Sequence, residues 1–355
     1  MTKRAWVVPM AALLAAIFAA GAGAQQTVPI EPPKLAAGQP SMLTFDVVVT
    51  DKAGKPVTDL QASDFALLDD KHPAKIVSFA AHTPDANNQE IAVLAIDLVN
   101  EGFNGVSQAR SQIEDMLRGP DGKLLFPVAV VLVTDTGVKE LAAPSTDAGL
   151  LEKDLQADQG ELRDLGRSGG FWGAAERMQT SLNSLDEVMR SLGRMEGRKM
   201  LIWVSPGWPI FDNPTLIVTS RQQQNIFDQL VALSDTMAQD QITMFDVDPL
   251  GTWDAGDFRT FLWEGFVKPV KRWQQAQPAD LALQAMAVQS GGMVLNSSND
   301  VAGELAKCVR EGDAWYTLTF APEKADQPNT WHDVAVKLDK AGLTVKTRNG
   351  YYAEP

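Results

Sequence analysis

The chain has 355 residues, of which 45% are hydrophobic and 21% charged, and it carries a formal net charge of −14 at pH 7. This composition is ordinary for a globular protein and excludes a wholly disordered chain. The excess of acidic residues argues against binding to nucleic acids or to anionic lipid headgroups, because both need basic surfaces. The single cysteine, Cys308, excludes an intramolecular disulfide, and we expect it to be buried on an amphipathic helix.

Residues 1–24 have the pattern of a secretory signal peptide. Lys3 and Arg4 precede an apolar run, and Ala22 and Ala24 match the small-residue cleavage pattern before Gln25. The alternative is an uncleaved membrane anchor, but the run is shorter than the ~20 residues that a spanning helix needs. We therefore predict an exported protein, periplasmic or extracellular, that does not insert into a membrane after cleavage. Loss of the two positive charges takes its formal net charge from −14 to about −16.

The mature chain is predicted to begin with a linker and a small β module. Residues 25–40 are rich in proline, glycine and small residues, which is typical of a linker. The segment 41–81 follows. Within it, "TFDVVVT" (44–50) alternates as a strand does, and turn residues separate it from two further predicted strands at 65–68 and 74–79.

Residues 90–312 alternate between buried strands and helices. Continuous apolar runs are typical of strands covered on both faces, and the five predicted strands are "IAVLAIDL" (91–98), "FPVAVVLVTD" (126–135), "RKMLIWV" (198–204), "ITMFDV" (242–247) and "MVLNSS" (293–298). Helical spacing predicts helices at 107–118, 148–158, 176–194, 222–239, 280–290 and 301–311. The order predicts a doubly wound α/β domain with a mostly parallel sheet.

The segment 314–355 returns to a β pattern. Its three predicted strands are "AWYTLTFAP" (314–322), "WHDVAVKLD" (331–339) and "LTVKTRNGYY" (343–352). Neither terminal module is large enough to form a core alone. We therefore predict that 314–355 pairs with 41–81 in one small β-sandwich, with the α/β domain inserted between them.

Several segments together resemble a known family. They are "FDVVVTDKAGKPVTDLQASDFALLDDKHPAKIVSF" near the start, then "AIDLVN", "GRKMLIWVSPG" and "MFDVDPLG", and finally "SGGMVLNSSNDVAGEL", "YTLTFAP", "WHDVAVKL" and "VKTRNGYY". In this order they resemble the exported, von Willebrand factor A-related domain proteins that are abundant in acidobacteria. The resemblance implies a von Willebrand factor A fold, which is a binding module in most settings, and it implies no particular ligand.

The resemblance also raises the question of a metal site. Metal-binding A domains carry D-x-S-x-S after the first strand, with a threonine and a second aspartate from later loops, and Mg²⁺ suits such oxygen ligands. Here Asp97 is the first aspartate, Val99 and Glu101 replace the two serines, and Ser205 stands where the second aspartate is expected. The candidate ligands are Asp97, Asn100, Glu101 and Ser205. We predict a degenerate site with no cofactor, and binding of Mg²⁺ or Mn²⁺ is the alternative.

Three aromatic residues are predicted in loops at the same end of the sheet. Open α/β sheets bind their ligands beyond the carboxyl ends of the strands. Trp172, Trp208 and Phe211 fall in loops at that end, where exposed aromatics would suit a protein partner. The alternative is that they pack the loops down onto the domain.

The sequence leaves three functions open. The first is a non-enzymatic protein-interaction module of the adhesion or scaffold type, with an unidentified protein partner. The second is a Mg²⁺-dependent hydrolase, because "FDVDPLGTWD" is similar to the D-x-D start of phosphatases of the haloacid dehalogenase type, with Asp246 attacking phosphorus and Asp248 handling the proton. That signature continues to a threonine where this chain has Leu250. The third is a purely structural envelope protein.

Overall fold

The computed structural model describes residues 42–83, 90–118, 123–157, 170–209, 218–251 and 262–355. The side chains of 103, 104, 123 and 170–172 are not described. The predicted signal peptide and linker lie outside the described residues, and so does Phe211. Among the described residues, no helix combines the length and the apolar composition that crossing a bilayer requires.

The secondary structure follows the predicted alternation. The strands are β1 (Leu43–Thr50), β2 (Phe65–Asp69), β3 (His72–Ala74), β4 (Ile76–His82), β5 (Glu90–Asp97), β6 (Lys123–Thr134), β7 (Gly137–Asp147), β8 (Arg198–Val204), β9 (Ile242–Val247), β10 (Val294–Leu295), β11 (Trp315–Phe320), β12 (Thr330–Leu338), β13 (Thr344–Thr347) and β14 (Gly350–Ala353). The helices are α1 (Phe103–Leu117), α2 (Ala148–Ala157), α3 (Gly170–Leu192), α4 (Ser220–Gln239), α5 (Leu283–Gln289) and α6 (Val301–Arg310).

A mostly parallel sheet forms the centre of the molecule. Its strand order is β10-β9-β8-β5-β6-β7, in which only β7 runs antiparallel to its neighbour. Every residue of β5, β8 and β9 is buried, because helices cover both faces of the sheet. Side chains of α3, α4 and α5 pack on one face, and side chains of α1, α2 and α6, including the buried Cys308, pack on the other. The predicted mixed α/β class with a mostly parallel sheet is confirmed.

Two antiparallel sheets combine strands from both ends of the chain. One has the order β13-β1-β11-β4, and the other has the order β14-β12-β2-β3. They share buried side chains: Phe45 and Phe320 of the first sheet lie in one cluster with Leu67, Val334 and Tyr351 of the second. The two sheets therefore pack face to face.

The structure differs from the predicted segments at several places, and three of the differences among the strands have a plain physical reason. The strand predicted at 74–79 begins only at Ile76, because the chain crosses from one sheet to the other after Ala74. The strand predicted at 343–352 divides into β13 and β14, which belong to different sheets. The edge strand β7 was not predicted, since it is largely exposed and lacks a continuous apolar run.

A buried ionic cluster joins β1, β5 and β8. Arg198 is 2% exposed, and its Nη1 donates to Glu90 Oε1 at 3.0 Å and to the Glu311 carbonyl at 2.9 Å. Asp46 Oδ2 lies 3.9 Å from Arg198 Nε, and the guanidinium lies over the Trp315 ring at 5.2 Å. Two buried carboxyl groups thus share one arginine.

Candidate functional site

Asp97 lies at the carboxyl end of β5, in the middle of the sheet, and is fully buried. Its Oδ1 accepts hydrogen bonds from the backbone N–H groups of Val99 at 2.9 Å and Asn100 at 3.0 Å. Its Oδ2 accepts from Asn100 Nδ2 at 2.8 Å, from Trp203 Nε1 at 3.0 Å and from the Ser205 hydroxyl at 3.2 Å. Four N–H groups and one hydroxyl therefore surround this carboxylate.

Local structure explains why these donors converge. An aspartate side chain readily caps the backbone N–H groups two and three residues ahead of it, which fixes the turn after β5. Trp203 lies on β8, the parallel neighbour of β5, and Ser205 follows directly after the end of β8. In extended chain, residues two apart project to the same side. Asn100 Nδ2 also donates to Ser181 Oγ of α3 at 2.7 Å. Asp97 thus ties β5, β8 and α3 together.

The residues around Asp97 do not fit a magnesium or manganese ion. A carboxylate has about four lone-pair directions, and the surrounding donors already use them. Mg²⁺ demands near-octahedral oxygen ligands, whereas Asn100 and Trp203 present N–H groups to the carboxylate and Val99 offers no ligating side chain. Among the residues that the structure describes, no group of three or more His, Cys, Asp or Glu side chains is placed to hold a metal ion.

The fourth candidate ligand, Glu101, turns towards helix α1. The residue is 6% exposed, and a Cβ atom at Gly105 would overlap its carboxylate. Of the four candidate ligands, the structure therefore brings Asn100 and Ser205 into hydrogen-bond contact with Asp97 as donors. Burial raises the pKa of Asp97, and the hydrogen bonds from Asn100, Trp203 and Ser205 act in the opposite direction by stabilising the anion.

Asp246, the predicted nucleophile of the alternative enzyme, is a second buried carboxyl group. It lies on β9 beside Trp203 and is 1% exposed. Burial and the nearby charge of Asp248 raise its pKa well above the usual range, while a hydrogen bond with Gln284 opposes the shift. Asp248 Oδ1 accepts from the backbone N–H of Leu250 at 2.9 Å. A raised pKa favours the protonated form of a carboxyl group, which is a weaker nucleophile than the carboxylate.

Of the two predictions for Trp208, exposure towards a protein partner is wrong, because the residue is buried. It is 1% exposed and meets Trp203 edge-on, with ring centroids 5.6 Å apart and an interplanar angle of 79°. The ring packs down because it closes the apolar core over Trp203, which was the alternative prediction. The side chain of Trp172 and all of Phe211 lie outside the described residues.

Sequence reasoning missed three members of this site. Trp203 and Ser181 contact the Asp97 network, and Gln284 contacts Asp246. Only Trp203 left a usable signal, because it lies two residues before Ser205, and residues two apart in extended chain project to the same side. Ser181 and Gln284 lie on helices whose rotation about their axes the sequence does not give.

Comparisons with known proteins reveal distant structural likeness alone. A scan against protein-family models finds no match, and no curated protein matches. Among solved structures, the chain is similar to an aerotolerance-related membrane protein from Bacteroides fragilis, with a TM-score of 0.34 and 8% identity over 62% of this chain and 98% of that one. It is also similar to the manganese-loaded TRAP protein from Plasmodium vivax, with a TM-score of 0.36 and 8% identity over 78% and 98%.

A third similar structure is the pilus adhesin SpaC from Lactobacillus rhamnosus GG, with a TM-score of 0.33 and 9% identity over 86% of this chain and 50% of that one. These three TM-scores lie below 0.5. The likeness therefore establishes neither a family nor a function for this chain.

Proposed function

We propose that the chain is an exported, non-enzymatic protein-interaction module, built on a von Willebrand factor A-like domain whose strand-end centre works without a metal ion. The observation that carries the proposal is the complete occupation of Asp97 by donors from the protein itself. The indole N–H of Trp203 and the hydroxyl of Ser205 point the positive ends of their dipoles at the carboxylate. They stand in for the positive charge that a metal ion would supply. The centre then serves as a hydrogen-bonded clamp that holds the strand-end loops in one arrangement.

A fixed strand end suits a binding surface better than a catalytic site here. Binding residues commonly lie on loops held by a rigid scaffold, and the carboxyl ends of an open α/β sheet are the usual place for them. The hydrolase alternative needs an ionised Asp246, and burial beside Asp248 favours the protonated form. The raised pKa of Asp246 in the metal-free protein supports the binder over the hydrolase alternative.

Metal independence is tested by calorimetric titration of residues 25–355 with Mg²⁺ and Mn²⁺. We expect no heat of binding, because an ion would have to displace the donors that already fill both oxygens of Asp97. A matched variant, Ser205→Asp, places a carboxylate where the resemblance places the second aspartate. If any variant binds Mg²⁺ or Mn²⁺, we expect it to be this one. Saturable heat in the wild-type protein that Asp97→Asn abolishes would contradict the proposal.

The interaction itself is tested by retaining partners from an envelope extract on the immobilised chain. A partner held equally well in chelator and in Mg²⁺ supports the proposal. A partner retained only in Mg²⁺ would contradict the claim that binding needs no metal ion. Failure to retain any partner would contradict the claim that the chain is an interaction module.

The enzyme alternative is tested with p-nitrophenyl phosphate in the presence of Mg²⁺. We expect no turnover above that of buffer, since burial favours the protonated form of Asp246, which is the weaker nucleophile. The control is Asp246→Asn, whose fold is checked by circular dichroism. Turnover in the wild type that this variant loses would establish the hydrolase instead.

A further inference from the structure

A cleft with positively charged walls lies between the segment before helix α5 and strand β12. Its volume is about 640 Å³, and its lining residues are Lys268, Pro269, Lys271, Arg272, Gln275 and Asp333. Residues 265–279 supply all three cations and contain no acidic residue, in a chain whose formal net charge is −14. The cleft is therefore a local reversal of the charge of the molecule.

The segment that carries the three cations is anchored at its backbone, while the cationic residues themselves are exposed. Val270 is buried, and its carbonyl accepts a hydrogen bond from the Tyr352 hydroxyl at 3.0 Å. The Gln274 carbonyl accepts from Gln223 Nε2 of α4 at 2.7 Å. The cations thus project from a fixed backbone, which is the usual construction of a binding site.

The three cations differ in what they contact. Lys271 Nζ forms an ion pair with Asp333 Oδ2 at 3.0 Å, and Trp331 Nε1 donates to the other oxygen, Oδ1, at 2.8 Å. Among the residues that the structure describes, Lys268 and Arg272 have no ion-pair partner. Two exposed cations therefore stand unpaired beside a third, which shows how the cleft holds a carboxylate.

We propose that this cleft binds a short acidic segment of a partner protein, with one carboxylate on Lys268 and a second on Arg272. The proposal rests on the proposed function, because it names the kind of partner that the interaction module takes. A carboxylate forms charge-assisted hydrogen bonds with an ammonium group and a bidentate pair with a guanidinium group. The Gln275 amide, in the same cleft, offers a donor and an acceptor to the backbone of the bound segment.

Charge selects a short segment over a long polyanion. A nucleic acid gains its affinity by contacting many phosphates with many cations, whereas the cleft offers two that are unpaired. Beyond the cleft, a long polyanion meets a protein that is acidic overall and is repelled by it. A peptide with a few carboxylates ends within the cleft, so it gains the attraction without that repulsion.

The test is fluorescence anisotropy of a labelled peptide, Gly-Ser-Asp-Glu-Asp-Glu-Ser-Gly, titrated with residues 25–355 at low salt. We expect saturable binding that weakens as salt is added, because salt screens exposed charges. The matched peptide with asparagine and glutamine in place of the acids should not bind. Lys268→Glu combined with Arg272→Glu should lower the affinity about tenfold or more, since two attractions become repulsions.

The control is Lys52→Glu combined with Lys55→Glu. It makes the same change of charge on the exposed turn after β1, which lines no part of the cleft, so it should weaken binding much less. Circular dichroism checks the fold of both double variants. Should the glutamate variant of the cleft misfold, Lys268→Gln combined with Arg272→Gln gives the same readout with a smaller loss.

Three outcomes would overturn the proposal. The first is that the wild type does not bind the acidic peptide, and the second is an equal loss of affinity in the cleft variant and the control. The third is displacement of the labelled peptide by inorganic phosphate or heparin at a lower concentration than by unlabelled peptide. That result would make the cleft a site for phosphate or for a polyanion.

Retention of partners from an envelope extract tests the proposed function separately. A partner retained equally by the wild type and by the glutamate variant of the cleft leaves the interaction module standing and contradicts the cleft as its docking site. Peptide binding by a wild type that retains no partner supports the cleft and contradicts the proposed function.

Discussion

Replacing Asp97 with alanine is expected to lower the free energy of unfolding by about 3–5 kcal/mol in metal-free buffer. The substitution removes the acceptor of the backbone N–H groups of Val99 and Asn100 and of the Trp203 indole N–H. The Asn100 side-chain amide loses one acceptor and keeps the other, Ser181 Oγ. Each buried donor left unpaired costs about 1–3 kcal/mol, although water that enters the space recovers part of it. Urea unfolding in the presence of a chelator measures the loss.

The sign of the stability change in Asp97→Ala distinguishes two roles for Asp97. Either the carboxylate stabilises the fold through its hydrogen bonds, or it is a metal ligand whose ion is missing from the metal-free protein. If Asp97 were kept for an ion, the metal-free protein would gain stability from losing a buried negative charge, and that outcome would contradict the hydrogen-bonded clamp. Asp135→Ala, in the exposed turn between β6 and β7, is the control and should change stability little. Trp203→Phe removes one donor and keeps an aromatic ring, so its effect should be smaller and should not add fully to that of Asp97→Ala.

The parallel sheet could be predicted because its strands are buried on both faces. Runs such as "IAVLAIDL" and "RKMLIWV" have no alternation, and this is what coverage by helices on two sides requires. Their position also placed Asp97 at a strand end. What the sequence could not give was the hydrogen-bond network around it. Trp203 lies 106 residues further along the chain and reaches Asp97 only through strand register. Ser181 accepts from Asn100 only because of the way α3 is rotated about its axis.

Exposed and divided strands were harder to predict. β7 mixes charged, small and apolar residues without regular alternation, and its pairing with β6 supplies the order that its own sequence lacks. The split of the last segment at Arg348 has a tertiary cause. Arg348 Nη1 donates to the Ser234 carbonyl of α4 at 3.1 Å, and the chain then passes from one sheet to the other.

The predicted aromatic surface failed at Trp208 for a related reason. A tryptophan in a loop is exposed or buried according to what lies beneath it, and beneath Trp208 lies Trp203. The sequence shows both residues but not their edge-on contact. The same contact strengthens the clamp proposal, because Trp208 covers the indole that donates to Asp97.

Replacing Arg198 with methionine is expected to lower the free energy of unfolding by about 3–5 kcal/mol at about pH 9, where Glu90 is ionised in the folded wild-type protein. Methionine has a similar length but leaves Glu90 and Asp46 buried without their cation. In the wild-type protein, burial raises the pKa of Glu90 to about 8, against the opposing attraction of Arg198, and burial also raises the pKa of Asp46. Because the folded form holds the proton of Glu90 more tightly than the unfolded chain does, its contribution to stability falls as pH rises from about 4.5 to about 8.

The defect of Arg198→Met should therefore depend on pH in a definite direction. Below its pKa of about 8, Glu90 keeps its proton in the folded protein, so Arg198 then compensates little charge on Glu90 and the loss relative to wild type should be smallest. The loss should grow as the pH rises through 8 to about 9. Arg118→Met is the matched control, because Arg118 also contacts three acidic side chains but is half exposed, and solvent screens such pairs. Equal effects of the two substitutions, or a loss at Arg198 that does not change between about pH 6 and pH 9, would mean that the buried carboxyl groups are not held by this arginine. Adding Glu90→Gln to Arg198→Met removes one of the two uncompensated carboxyl groups and should recover part of the loss at about pH 9, which ties the effect to charge rather than to the size of the side chain.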